Sequence, residues 1–192
     1  TTVTGPFGVN VTAMEMSFAG SSFDGTYQTI STIPNSYISS FYVRLSSGTG
    51  SVRLRTGSSY TDNISISTGW TRISVTFAET LTTNRAIGIY NDSVGVAKTI
   101  YVYGAQFENA TGRTDTTTPS EYVATTTAAV TKWFANANGN TVNSNVVTEG
   151  TGAAFATAPL LQVDPALTNS LTYSRDLTNA AWTATNMTTA YT

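Results

Sequence analysis

Residues 100–123, IYVYGAQFENATGRTDTTTPSEYV, decide the fold. Ile100 and Val102 alternate with Tyr101 and Tyr103, Gly104 breaks the rhythm, and Ala105 and Phe107 resume it against Gln106 and Glu108. Alternation puts every second side chain on one face of a strand, and a single slip at a glycine is the pattern of a β-bulge. The bulge predicts one buried face carrying Ile100, Val102, Ala105 and Phe107. Residues 109–120 are polar, turn-rich and short of large apolar side chains, so the stretch reads as the closing strand of a β-sandwich and its exit.

The sequence upstream has the same period. After a turn segment at 4–10, residues 11–18 set Met14, Met16 and Phe18 against Ala13, Glu15 and Ser17, and residues 26–33 form a second strand carrying Tyr27 and Ile30. Residues 37–45 turn Tyr37, Phe41, Val43 and Leu45 inward and Ser40, Tyr42 and Arg44 outward. Past the loop SSGTG, Val52 and Leu54 alternate with Ser51, Arg53 and Arg55. Ile64 and Ile66 mark a short strand; Ile73, Val75 and Phe77 alternate with Arg72, Ser74 and Thr76; residues 86–90 lead into the closing strand. About eight short strands spaced near ten residues, with no helical period, predict an all-β fold: a jelly-roll β-sandwich over residues 1–125.

Composition narrows function. The chain has 192 residues, 40% hydrophobic and 10% charged, with no Cys, no His and a formal charge of −2. Without Cys or His there is no disulfide framework, no Cys/His zinc site and no Ser-His or Cys-His nucleophilic pair. The balance of charge offers no basic field for nucleic acid, and no apolar run approaches the roughly 20 residues of a membrane helix. A start at Thr1 with neither initiator Met nor signal core reads as a chain beginning mid-protein or after processing. The carboxylates are scattered, with no spacing that favours a glycosidase pair roughly 5 to 9.5 Å apart; Glu15 reads as an outward strand residue. No enzyme is expected.

The character changes past Thr125. Residues 126–166 read as a connector or irregular arm, with an aromatic anchor at Lys132-Trp133-Phe134, slight alternation at Val142, Val146 and Val147, and a short apolar stretch at 158–163. Residues 167–192 contain TNSLTYSRDLTNAAWTATN, which reads as an extra strand.

Four segments carry a family resemblance. GAQFE at 104–108 followed by SEYVAT at 120–125 resembles the end of the jelly-roll modules of bacteriophage tail and head-fibre proteins, where a GAQLE-type strand precedes a TSYIPT-type tail. YISSFYVRLSSGTGSVRLR resembles the central hairpin of these modules, and STGWTRISVTF their GWYRVSVTF-type strand. Residues 168–186 resemble their opening strand, often NLLTYSEDFTNAAWTKSN, at Asn169, Leu171, Thr172, Tyr173, Ser174, Asp176, Thr178 to Trp182, Thr183 and Asn186, and Leu171, Tyr173, Leu177 and Trp182 would be its assembly residues. Here the opening strand stands at the end of the chain. Three arrangements are open: a fragment of a tandem protein, a strand that folds back to complete its own sandwich, or one exchanged with a neighbouring subunit's edge. The resemblance implies a virion structural protein, extracellular, whose partners are other copies of itself, other virion proteins or a host-surface glycan.

Two candidate sites follow. Sugars bind through CH faces on aromatic rings with planar polar groups holding hydroxyls, which points to Tyr42, Arg44 and Arg53 as a platform with Arg55, Arg72, Tyr60 and Trp70 around it. Trp70 also reads as packing under a loop, Arg53 and Arg55 as edge-protecting charges, and Tyr101 and Tyr103 as packing between sheets or on Trp133. Calcium, the usual accessory of jelly-roll carbohydrate-binding modules, has weak candidates in Asp24, Asn91 and Asp92, without a dense D-x-D pattern. The five Asn-x-Ser/Thr sequons, at Asn10, Asn63, Asn91, Asn109 and Asn186, carry no weight in so Thr- and Ser-rich a chain.

Overall fold

The computed structural model describes residues 1–113, 115–125, 130–132, 134–136, 147–149, 167–175, 177, 179–185 and 187–190. Its strands in chain order are β1 (Thr2–Thr4), β2 (Asn10–Thr12), β3 (Met14–Phe18), β4 (Gly25–Thr32), β5 (Ser36–Leu45), β6 (Thr49–Thr56), β7 (Ser59–Tyr60), β8 (Ile64–Ser67), β9 (Thr71–Ala78), β10 (Thr83–Asn91), β11 (Lys98–Asn109), β12 (Val130–Lys132), β13 (Phe134–Asn136), β14 (Val147–Glu149), β15 (Leu167–Asn169), β16 (Thr183–Thr185) and β17 (Met187–Ala190). The protein is an all-β sandwich. One sheet runs β17-β3-β11-β5-β9 and the other β16-β4-β10-β6-β7, with β8 also pairing β6.

The alternation read from sequence sorts the side chains. Met14, Met16, Phe41, Val43, Leu54, Ile87, Ile89, Ile100 and Val102 are buried between the sheets. Val75 and Phe77, on the edge strand β9, are only half-buried. The bulge is present: the pairing of β11 with β5 shifts between Tyr103 and Gln106, and Gly104 takes a φ of 63° in the left-handed region. Ala105 and Phe107 thereby join Ile100 and Val102 in the core.

The bulge also creates a problem. β3 pairs β11 only from Lys98 to Val102, so the edge of β11 beyond the bulge lacks that strand. The returning chain supplies the missing partner. Ala105 N–H donates to Ser174 O at 3.0 Å and Ser170 N–H to Phe107 O at 2.8 Å. The fully buried Asn169 amide fills the gap between these bonds. Its Oδ1 accepts from Phe107 N (3.0 Å) and Leu171 N (3.2 Å), and its Nδ2 donates to Ala105 O (3.1 Å) and Val123 O (2.8 Å). All four hydrogen-bonding positions of that amide are used.

After Asn169 the chain turns through Tyr173, whose φ of 49° is unusual for a residue with a Cβ. Ser174 and Thr125 hold each other there, Thr125 N donating to Ser174 Oγ at 2.9 Å and Ser174 N to Thr125 Oγ1 at 3.3 Å. Leu171, Leu177 and Trp182 then fill the core, Trp182 meeting Phe41 edge-on at 6.3 Å. β16 pairs with β4 and β17 with β3, so one short segment closes the same side of both sheets, within its own chain. Gln28 locks it from the sheet beneath, donating to Thr172 Oγ1 at 2.9 Å and accepting from Thr172 N at 3.0 Å.

Pairing of β12 with β15 brings the two ends of the 126–166 stretch together, and β13 pairs β14. Trp133, Val142, Val146 and residues 158–163 lie outside the described residues, as do Asp176, Thr178 and Asn186. The 4–10 turn is the tip of a small hairpin of β1 and β2.

Replacing Asn169 by Ala strands several buried backbone groups at once, and should lower the unfolding free energy by about 3 kcal/mol. Trp182→Ala should cost about 4 kcal/mol by leaving a cavity under β5. Urea unfolding of both variants checks this; losses below about 1 kcal/mol would mean that the C-terminal segment is not part of the cooperative core.

Candidate functional site

Each sheet has an outer face, and the residues proposed from sequence as one platform divide between them. Tyr42 and Arg44 on β5, Arg72 on β9 and Trp70 just before it belong to the β17-β3-β11-β5-β9 sheet. Arg53 on β6 and Tyr60 on β7 belong to the other. Alternation correctly turns all of them outward, but outward from different sheets. Tyr42 and Arg53 therefore cannot share a ligand, and the combined platform is corrected to two separate clusters.

The first cluster is wrapped by its own chain. Phe7, at the tip of the β1–β2 hairpin, meets Tyr42 edge-on at 5.2 Å, and Trp70 donates its indole N–H to Thr4 O at 2.7 Å. Arg44 lies over the rings of Tyr101 (4.7 Å) and Trp70 (5.5 Å). From the other side the exit segment folds across the sheet. Buried Glu108 accepts from Ser120 N (2.9 Å) and Arg113 Nη1 (2.9 Å), and Gln106 accepts from Val123 N (2.7 Å). Tyr122, under this cover, packs on Tyr42 and Tyr103, and burial raises its phenol pKa to about 12. Arg72 donates to Ser120 O and to Ser40 Oγ, and burial lowers its pKa despite the nearby Tyr42 and Glu108. This face is packing.

The second cluster is open. Strand register aligns Thr183, Tyr27, Gly88, Arg55 and Tyr60 in one row across β16, β4, β10, β6 and β7. Gly88 leaves the middle of that row without a side chain, and the Arg55 guanidinium lies 4.7 Å from the Tyr27 ring. A Cβ on Gly88 would come within 2.0 Å of Thr26 O and 2.7 Å of Tyr27 Cβ. In the next row Gly25 leaves room for the Tyr90 ring, which a Cβ there would meet at 2.5 Å. Burial raises the Tyr90 phenol pKa, with hydrogen bonds from Arg55 and Thr185 acting against the rise. Arg53 stacks on Tyr60 at 4.5 Å, and Tyr60 meets Tyr90 edge-on at 5.2 Å.

Tyr27, Arg53, Arg55 and Tyr60 are all half-exposed, and Thr29 and Ser31 stand exposed on the same face of β4. Among the described residues, the rings of Tyr27 and Tyr60 make ring and cation contacts only with Arg53, Arg55 and Tyr90. The result is a strip in which half-exposed tyrosine rings and guanidinium groups adjoin, with hydroxyls beside it. Tyr27 and Gly88 were not singled out from sequence. The signal available was Gly88 inside the alternation of AIGIY, a strand glycine marking close approach.

The third candidate, calcium, does not fit these residues. Asp24 Oδ2 accepts from Gly20 N and Ser21 N, both at 2.9 Å; its Oδ1 is buried without a partner. Asn91 donates to Ser21 O and Val96 O and accepts from Asp92 N. Asp92 takes Lys98 Nζ, Ser51 Oγ and the N–H groups of Gly95 and Val96. Arg53 donates to Ser22 O and Asn91 O. Apart from Asp24 Oδ1, the oxygens that would make a shell of six to eight already accept from N–H and O–H donors, two of which are the cations Lys98 and Arg53. A cleft of 350 Å³ beside this network is lined by Ser46, Thr49, Val96 and Lys98, but its two charged groups, Lys98 and Asp92, are buried and paired with each other.

No family model, curated protein or solved structure matches the chain.

Burial pushes the Asp92 carboxyl up, but the Lys98 ammonium and the Val96 and Gly95 N–H groups together hold it below its ordinary 3.8. A depressed carboxylate pKa stabilises the fold above the unfolded-state value, and this contribution is lost as pH falls below it. Stability should therefore decline between about pH 4 and more acid conditions, and Asp92→Asn should be less stable at pH 7 and flatter in that range. Urea midpoints at both pH values for the two proteins check it. Equal midpoints at pH 7 would contradict the pairing.

Proposed function

We propose that this chain is a non-enzymatic virion structural module of the bacteriophage tail- or head-fibre kind, and that it presents the outer face of β4, β10, β6 and β7 to a host-surface glycan. The Tyr27–Arg55–Tyr60 strip carries the reading. A pyranose ring is a disc with apolar CH faces and a polar rim, and an aromatic strip with fixed donors at its edge is complementary to it. The orders β3-β11-β5-β9 and β4-β10-β6-β8, set face to face, are those of two interleaved Greek keys, which supports the jelly-roll expectation. The GAQFE, GWTRISVTF and NSLTYSRDLTNAAW segments support the phage context through resemblance alone.

A second reading, an architectural piece joined to other copies by strand exchange, is favoured by one observation. The core residues Leu171, Leu177 and Trp182 and both edge strands come from a segment separated from the sandwich by residues 126–166. The same docking contacts made between two copies would link them without any new interface.

Tyr60→Ala and Tyr27→Ala should each weaken glycan binding about tenfold, since one ring stack is worth roughly 1–1.5 kcal/mol. Trp70→Ala, on the wrapped face, should lower stability and leave binding unchanged. Binding to a panel of surface glycans, read alongside thermal unfolding, checks this. Loss of binding on Trp70→Ala with none on Tyr60→Ala would move the site to the other sheet. A chain that elutes as a stable multimer and binds no glycan would favour the architectural reading.

A further inference from the structure

The strip is cationic, and no carboxylate among the described residues pairs with it. Among the described residues the ion pairs are Arg85–Glu79, Lys98–Asp92 and Arg113–Glu108. None involves Arg53 or Arg55, and Asp62, exposed in the loop after β7, pairs with neither. The chain as a whole has more acidic than basic residues, 11 against 9, so two adjacent unpaired arginines are not a consequence of general basicity.

Each guanidinium is held by two of its three nitrogens. Arg55 donates Nε to Gly57 O at 2.7 Å and Nη1 to Tyr90 Oη at 2.9 Å. Arg53 donates Nε to Asn91 O at 3.1 Å and Nη2 to Ser22 O at 2.6 Å. The remaining nitrogens, Arg55 Nη2 and Arg53 Nη1, have no hydrogen-bond partner among the described residues, and neither is a buried orphan. They therefore face solvent. The two side chains stand on one face of β6, two residues and so roughly 6.6 Å apart along the strand. Like charges held this close repel, and the stacking on Tyr27 and Tyr60 fixes them where they stand instead of letting them swing apart.

We infer that the face is built for an acidic saccharide, a glycan carrying the carboxylate of a uronic or nonulosonic acid, with Arg55 Nη2 and Arg53 Nη1 as its anion-binding donors and the Tyr27 and Tyr60 rings beneath the sugar. Two fixed guanidinium donors on neighbouring arginines suit the two oxygens of a planar carboxylate, forming short charge-assisted bonds that a neutral hydroxyl does not repay. The inference rests on the glycan-face reading and adds the charge class of the ligand.

The full chain is tested against a printed panel of neutral, carboxylated and sulfated glycans in which each carboxylated member is accompanied by its carboxyl-reduced counterpart. Binding to carboxylated members at least tenfold tighter than to their reduced counterparts is expected, weakening as salt rises. Arg55→Gln and Arg53→Gln should each bring the ratio of carboxylated to reduced binding below about threefold, the ratio being read within each variant so that a general loss of affinity cancels. Arg55→Lys, which keeps the charge but not the fork, should lose most of the preference too. Because the reduced-glycan comparison uses the unaltered protein, the outcome does not hang on a variant folding. Equal binding to the two forms overturns the acid preference and leaves the glycan face standing; binding to sulfated members alone overturns the carboxylate assignment. Binding to no member of the panel overturns both.

Discussion

The amide of Asn169 holds this sandwich together at its weakest point. β11 is the longest strand and lies at the centre of its sheet, but the bulge at Gly104 and the short reach of β3 leave its upper edge bare. Bare backbone groups in a core are costly, because nothing replaces the water they lose. Asn169 satisfies Phe107 N, Leu171 N, Ala105 O and Val123 O at once, joining the closing strand, the exit segment and the returning chain. Docking of the segment beyond that junction buries Leu171, Leu177 and Trp182 in the core and sets β16 and β17 on the edges of β4 and β3. The open face depends on the same event, since β16 places Thr183 beside Tyr27 and Thr185 beside the buried Tyr90.

The two outer faces use the same residue types to opposite ends. Both set arginine on tyrosine, yet one is roofed by the β1–β2 hairpin and the exit segment, and the other has no such cover among the described residues. Composition cannot separate a packed Arg–Tyr layer from a binding strip; the presence of a covering segment does. Glycine position is the second difference. Gly88 and Gly25 leave space on the open face that a side chain would close, against Tyr27 at one position and the Tyr90 ring at the other. On the covered face Gly104 instead re-registers a strand.

Much of the sandwich was legible because period two is a local property. The buried set on β3, β5 and β11, the bulge, and the outward turn of Tyr42, Arg44, Arg53 and Arg72 all follow from alternation. Alternation does not say which sheet a strand joins, so Tyr42 and Arg53 read as one platform although they lie on opposite sides of the molecule. Nor does it reveal a cover: Ser40, Gln106 and Glu108 point outward and are nonetheless fully buried. The segment at 168–186 reads as one extra strand, but between β15 and β16 its described residues form bends and turns, and its destination was not legible. That destination is set by contacts across more than a hundred residues, such as Gln28 with Thr172, separated by 144 positions, and by the left-handed turn at Tyr173, which has no sequence signal.

Urea unfolding of a chain ending at Thr125, with and without an added peptide of residues 167–192, tests most directly whether the returning segment completes the fold. The shortened chain should lack a cooperative transition and expose its core to a hydrophobic dye, and the peptide should restore a transition in proportion to its concentration. A shortened chain that unfolds cooperatively at the midpoint of the whole protein would contradict the account.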